Sequence, residues 1–179
     1  MNIKPPKEQI EIEKAIIMLI DCVKKGCSND KPLILHSLRV GFKLQELKQL
    51  KEVVIAGILH DLVEDTNCTI NQIKEKFGDK VANLVSACTL PDIKNDKTRW
   101  LTFLEQIKKA GKEATIIKII DANDNLPYTA LVKNKDYLKR ILWKHQILIE
   151  KLKPEIGNLK IFRKYCKKYE QIIKKLKIW

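Results

Sequence analysis

The sequence predicts an all-α fold, and three observations carry that prediction. Glycine and proline number only six each in 179 residues, so few positions punctuate the chain for tight hairpins. Apolar residues recur at intervals of three and four over most of the chain, which is the period of a helix with one buried face. No long stretch alternates with period two, although residues 116–120 have the composition of a buried strand.

The first helix is predicted over residues 7–25, where Ile12 and Leu19 lie on the apolar face and Gly26 follows the last turn. After a polar loop over 27–31, Pro32 suits the start of a second helix.

Thr69 and Gln72 are spaced as a capping box, which predicts another helix start. Pro127 is predicted to end a strongly apolar helix, and Pro154 to separate the last two. The full set of predicted helices is 7–25, 33–48, 51–64, 70–77, 80–89, 98–110, 114–126, 135–152 and 156–177.

The length fits a single domain over 1–179, with its core at about 10–150. The net charge of +13 is concentrated in residues 133–179, which carry fifteen basic and four acidic side chains. These basic C-terminal helices could bind an acidic partner. The interpretation we favour is that their lysines form a solvated helix face, and we do not expect nucleic acid to be a partner.

The chain is expected to be cytoplasmic. No apolar stretch approaches the roughly 20 residues needed to cross a bilayer, so no membrane association is expected. The N-terminal residues lack the apolar core of a signal peptide. The five cysteines are scattered and odd in number, which favours free thiols over a disulfide framework or a cysteine zinc site.

The segment Val53–Asp65 reads VVIAGILHDLVED, an apolar run that ends in ionisable residues. In one continuous helix, His60, Asp61 and Glu64 would project to the same side. Carboxylates at a helix C-terminus face its partial negative charge, so a positive group, most simply a metal ion, is expected against this turn.

His36, His60, Asp61 and Asp121 fall on three predicted helices, each within apolar surroundings. A lone histidine on an apolar face is more often a satisfied core residue. Buried charges, however, must be paired or bound to a metal, and this set of nitrogen and oxygen donors suits Mn²⁺, Fe²⁺ or Zn²⁺.

The order His36, His60-Asp61, Asp121 resembles the signature of the HD-domain metal-dependent phosphohydrolases. The stretch HDLVEDT at 60–66 is similar to the RelA/SpoT-type hydrolases of (p)ppGpp, including the small single-domain alarmone hydrolases. Phe77-Gly78 and Lys118-x-x-Asp121-x-x-x-Asn125-Leu126 also resemble family patterns, and the resemblance covers about residues 10–150.

The resemblance implies a single-domain HD-type helical bundle with one Mn²⁺ held by His36, His60, Asp61 and Asp121. The ion would lower the pKa of water, and Glu64, supported by Asp65, would orient or deprotonate that water. The implied reaction cleaves the 3′-pyrophosphate ester of (p)ppGpp, giving GDP or GTP and pyrophosphate.

The resemblance also implies that Asn125 contacts the nucleotide. Lys24, Lys25 and Lys118 are expected to face its phosphates, although Lys24 and Lys25 could simply complement the end of their helix. The family's arginine-lysine pair and its tyrosine and proline around the first histidine are absent from residues 24–37. Because lysine lacks a planar face for stacking, we expect phosphate binding to persist and base discrimination to relax.

Two alternatives remain. The first is an HD-type hydrolase of another nucleotide, such as NADPH or a nucleoside monophosphate. The second is a nucleic-acid-binding module with a structural metal, in which Trp143, Tyr165 and Tyr169 would stack on bases. Their helical spacing among apolar neighbours favours core packing instead.

Overall fold

A computed structural model describes residues 5–29 and 31–176, and within these ranges it contains ten helices and no strand. The all-α prediction is therefore confirmed. The predicted loop position 30 and the predicted helix end at 177 lie outside the described residues. The helices are α1 (Lys7–Lys25), α2 (Leu33–Glu46), α3 (Lys51–Leu59), α4 (Leu62–Asp65), α5 (Ile70–Phe77), α6 (Asp79–Cys88), α7 (Asp96–Ala110), α8 (Lys112–Thr129), α9 (Lys135–Ile156) and α10 (Lys160–Leu176).

The chain divides between Pro91 and Asp92 into two compact units, α1–α6 and α7–α10. The single domain over 1–179 stays a prediction. No helix in the described ranges is long and apolar enough to cross a membrane.

The first unit is built around α3, which packs against α1, α2 and α6. All seven residues from Val53 to Leu59 are buried. A helix that is apolar on every side has no face to offer to water and must lie in the interior. The polar residues that follow α3 are therefore carried into the interior with it.

The helices α2 and α3 pack closely because a glycine stands on each of them at the contact. A Cβ atom at Gly41 would overlap Ile58, and one at Gly57 would overlap Leu44. This pairing sets the position of α2 against the end of α3, where the two sequence-predicted histidines lie.

The predicted continuous helix over 51–64 is wrong. Helix α3 ends at Leu59 and α4 begins at Leu62, with His60 and Asp61 forming a turn between them. A continuous helix would pair the Gly57 carbonyl with the amide of Asp61. Instead the ring of His60 hydrogen-bonds to that carbonyl, and Asp61 adopts φ −92° and ψ −4°. This local side-chain bond competes with helix continuation.

The second unit is built around α8, which packs against α7, α9 and α10. The predicted break at Pro127 is wrong, because α8 continues through it to Thr129. Proline cannot donate to the carbonyl four residues earlier, on Asn123. The ammonium of Lys168 donates to that carbonyl at 3.0 Å, so the carbonyl keeps a partner. The predicted separation at Pro154 is also wrong, since α9 runs to Ile156.

Two of the three aromatic residues considered above for base stacking are held within the second unit. Tyr165 is fully buried, with its hydroxyl 2.6 Å from Nδ1 of His145, and Tyr169 donates to the Leu142 carbonyl at 3.1 Å. Trp143 is half-buried beside the ammonium of Lys97. These contacts agree with core packing for the two tyrosines and oppose a base-stacking role.

We predict that Gly41→Ala destabilises the protein, although alanine is the better helix former. Replacing glycine in a helix interior gains up to about 1 kcal/mol, whereas overpacking a core contact costs about 1–3 kcal/mol. The expected net loss, up to about 2 kcal/mol when the full helix gain is subtracted, is measurable by chemical denaturation.

The control is the same substitution in an Ile58→Ala background, where the overlapping side chain is gone. There Gly41→Ala should become stabilising. An equal loss in both backgrounds would contradict close packing between α2 and α3 at this point.

Candidate metal centre

The two histidines of the first unit lie at the α2–α3 contact. His36 is one turn inside α2, where its amide bonds the Pro32 carbonyl at 3.0 Å, and its side chain is fully buried. His60 occupies the turn that ends α3 and is 2% exposed. The close packing of α2 on α3 brings the two rings together, with centroids 5.2 Å apart.

The donor groups of three residues converge at this point. Nε2 of His60 lies 3.1 Å from Oδ1 of Asp61, and Nε2 of His36 lies 3.4 Å from Oδ2 of the same carboxylate. The two Nε2 atoms are 3.3 Å apart. The structure thus brings His36, His60 and Asp61 together, as the sequence predicted.

The hydrogen bond of His60 assigns its tautomer. A carbonyl oxygen can only accept, so Nδ1 of His60 carries the proton that is donated to Gly57 at 2.8 Å. In the neutral ring, Nε2 then holds a lone pair directed at the cluster. A metal-binding histidine characteristically donates its other ring N–H in this way.

The cluster fits a single divalent ion. Donor atoms bound about 2.0–2.2 Å from one ion lie roughly 3.0 Å apart at right angles and roughly 3.4 Å apart at the tetrahedral angle. The separation between the two Nε2 atoms, and the separation of each Nε2 from one oxygen of Asp61, are 3.1–3.4 Å and fall within this range. Two imidazoles and one carboxylate are also the donor types that borderline transition metals prefer.

Lys31 also contacts the cluster, and sequence reasoning missed it. Its ammonium donates to Oδ2 of Asp61 at 3.0 Å, and its side chain is 21% exposed. In the sequence it is one lysine in a polar loop, five residues before His36. Its charge alone does not distinguish it from the other lysines of the chain.

The loop between α1 and α2 is attached to the end of α4 at Asp65. The amide of Ser28 donates to the Asp65 backbone carbonyl at 2.9 Å, and the side-chain amide of Asn29 donates to the Asp65 carboxylate. Burial raises the pKa of Asp65, the neighbouring Asp61 raises it further, and the bond from Asn29 opposes the rise. Asp65 therefore anchors the loop that carries Lys31.

Glu64 lies on the exposed side of α4, and one of its oxygens accepts a hydrogen bond from the Leu90 amide at 2.6 Å. It lines a cleft of about 360 Å³ together with Asp65, Thr66, Asn67 and the loop residues 26–28. The turn at 60–61 means that the predicted alignment of His60, Asp61 and Glu64 along one continuous helix does not apply.

Asp121 lies on α8 in the second unit, 2% exposed. The Lys118 ammonium donates to one carboxylate oxygen at 2.7 Å, and the side-chain amide of Asn125 donates to the other. Lys118 also lies over the rings of Trp100 and Phe103. Two residues predicted to bind substrate thus hold the carboxylate predicted to bind the metal.

Lys24 and Lys25 are exposed in the last turn of α1. Lys25 lines a cleft of about 440 Å³ with Asp21, Gln72 and Lys76. Their binding of substrate phosphates stays a prediction.

The third histidine, His145, is a satisfied core residue of the second unit. It lies between the hydroxyls of Tyr165 and Thr129. Burial lowers the pKa of His145 to about 4, with the nearby Lys118 acting in the same direction. The ring is therefore neutral at physiological pH.

A family model described as an HD domain matches residues 15–115. Among curated proteins, guanosine-3′,5′-bis(diphosphate) 3′-pyrophosphohydrolases of Aquifex aeolicus and Haemophilus influenzae are 30% and 29% identical to the chain over 154 and 164 residues. The matches cover 79% and 83% of the chain, but only 22% and 24% of those longer proteins.

A solved structure described as a metazoan ortholog of SpoT that hydrolyses ppGpp matches with a TM-score of 0.77, covering 99% of both chains. Its sequence identity is 18%, so this likeness concerns the fold. Because the family model spans more than half of the sequence, the chain belongs to the HD domain family.

Proposed function

We propose that the chain is a Mn²⁺-dependent hydrolase that cleaves the 3′-pyrophosphate ester of (p)ppGpp, releasing pyrophosphate and leaving GDP or GTP. The convergence of His36, His60 and Asp61 carries the proposal, because a buried site of this composition calls for a divalent ion. The names of the Aquifex and Haemophilus relatives support the substrate.

We assign the metal to His36, His60, Asp61 and, from the sequence signature, Asp121. A divalent ion in such a site supplies Lewis acidity, which activates water near neutral pH and offsets charge on a phosphoryl group. The residues around the donors fix their orientation. Gly57 holds the ring of His60, while Lys118 and Asn125 hold the carboxylate of Asp121.

We assign to Glu64 the role of orienting the attacking water or accepting its proton, and to Asp65 a supporting role. One Glu64 oxygen accepts a hydrogen bond from the Leu90 amide, which holds the carboxylate in place. Its exposure in the polar cleft beside Asp65 supports access for both water and substrate. Asp65 supports the site by fastening the α1–α2 loop.

The substrate-binding assignments are Lys24, Lys25, Lys118 and Asn125. Lys25 offers a point charge to phosphate without stacking on a base, which suits relaxed base discrimination. Lys118 and Asn125 act on Asp121 in this structure, so we assign them first to positioning that carboxylate. Their contact with the nucleotide remains part of the proposal.

We predict that the purified chain converts ppGpp into GDP and pyrophosphate when Mn²⁺ is supplied, and that a chelator abolishes the reaction. Ion-exchange chromatography of the products gives the measurement. His60→Ala, prepared in parallel, should be inactive and controls for contaminating hydrolases.

A panel containing ppGpp, pppGpp, their adenine analogues and NADPH decides the substrate. Comparable rates on guanine and adenine polyphosphates would agree with relaxed discrimination. Release of phosphate from NADPH alone, with ppGpp intact, would assign the chain to another nucleotide.

We predict that Glu64→Gln keeps the bound metal but lowers kcat by about 10²-fold or more, because the amide cannot accept the proton of the water. The side-chain carbonyl oxygen of the glutamine can still accept the hydrogen bond from the Leu90 amide, so thermal stability should change little. Metal content and kcat measured on the same preparation separate the two effects. Near-normal turnover would remove Glu64 from the mechanism.

A further inference from the structure

We propose that Lys31 is a phosphate-binding residue of the metal centre, placed beside Asp61 to contact the phosphoryl group that binds there. The inference rests on the proposed metal site, and it adds a residue that neither the HD signature nor the sequence patterns identified.

The ammonium lies at the edge of the donor cluster. Nζ of Lys31 is 3.0 Å from Oδ2 of Asp61, and that same oxygen is 3.4 Å from Nε2 of His36. A group bound next to this carboxylate therefore lies within reach of the lysine.

Solvent reaches this part of the cluster on the side of the lysine. The side chains of His36 and His60 are 0% and 3% exposed, whereas those of Asp61 and Lys31 are 15% and 21% exposed. A phosphate that approaches the cluster of His36, His60 and Asp61 from solvent therefore contacts Asp61 and Lys31 before it contacts the two imidazoles.

The position of the lysine is built into the loop. The Lys31 amide donates to Oδ1 of Asn29 at 3.0 Å, and the side-chain amide of Asn29 holds the Asp65 carboxylate. On the other side, Pro32 restricts the backbone of Lys31 to extended conformations and precedes the first residue of α2. The backbone of Lys31 is thus tied through Asn29 to Asp65 and is followed directly by α2.

The charges favour an anion at this point. Without an ion, the ammonium of Lys31 balances the carboxylate of Asp61. When Asp61 also binds a divalent cation, two positive groups share one carboxylate, and their repulsion is relieved by a phosphate that contacts both. The lysine side chain is flexible and ends in a compact charge. Its ammonium can therefore rotate to contact a phosphate while the backbone of Lys31 stays in position.

The competing explanation is that Lys31 only orients Asp61. It predicts weaker metal binding after Lys31→Met, because the carboxylate loses a partner. Phosphate binding by Lys31 predicts equal or tighter metal binding, because a competing cation is removed, together with weaker binding of phosphate.

The test is calorimetric titration of the full chain, first with Mn²⁺ and then, once loaded with Mn²⁺, with pyrophosphate. Lys31→Met should weaken pyrophosphate binding about tenfold without weakening Mn²⁺ binding, while Lys31→Arg retains most of the affinity. Lys74→Met is the matched control, since it removes a 2.8 Å bond to Asp79 in the same unit. It should change neither affinity.

Unchanged pyrophosphate binding in Lys31→Met would overturn the inference, and so would a parallel loss of Mn²⁺ affinity. Absence of pyrophosphate binding in the unmodified chain would overturn it as well. The titration does not use ppGpp, so failure of the proposed substrate is distinguishable. A chain that leaves ppGpp intact but binds pyrophosphate through Lys31 would keep this inference and lose that substrate.

Discussion

The hydrogen bond from Nδ1 of His60 to the Gly57 carbonyl is the interaction on which the proposed metal centre depends. It ends α3 one residue before His60, and it places the remaining lone pair of the ring on Nε2. Asp61 then follows in a turn instead of a helix, so its carboxylate can reach both imidazoles. One bond therefore sets the tautomer of His60, the direction of the chain after it and the position of Asp61, the neighbouring residue proposed to bind the metal.

Because α3 is buried, the polar side chains at its C-terminal end must be paired within the protein. Each buried valine, leucine or isoleucine contributes about 1.5–3 kcal/mol, so the apolar run Val53–Leu59 holds the end of the helix in the interior. Two imidazoles and a carboxylate carried there must find partners. The glycine contacts between α2 and α3 bring His36 to the same point, and the Lys31 ammonium reaches it from the adjoining loop.

Local sequence patterns predicted the parts of the fold that local physics determines. Helix α1 begins and ends where its apolar period and Gly26 indicated, and the Thr69–Gln72 capping box is present. Both errors at prolines arose because periodicity and helix breakers describe only neighbouring residues. Lys168 satisfies the carbonyl that Pro127 leaves without a backbone donor, and it lies 45 residues beyond that carbonyl in the chain.

In the candidate site, too, sequence patterns identified some features, while others depend on contacts that no local pattern shows. The residue types of His36, His60 and Asp61 predicted a shared metal site, and the structure brings the three side chains together. The turn at His60 was not predictable from periodicity, because a side-chain bond to a carbonyl three residues earlier competes with the helix. Lys31 was missed because a lysine in a loop belongs to no sequence pattern, and the contacts of Ser28 and Asn29 with Asp65 that hold it near Asp61 are tertiary.

The most direct test of the central claim is pulsed electron paramagnetic resonance of the protein loaded with one equivalent of Mn²⁺. If His36 and His60 bind the ion, its electron spin-echo modulation should show coupling to two imidazole nitrogens, and His36→Ala should leave one. A spectrum without nitrogen coupling, identical in the unmodified chain and in His36→Ala, would contradict a metal centre at these residues.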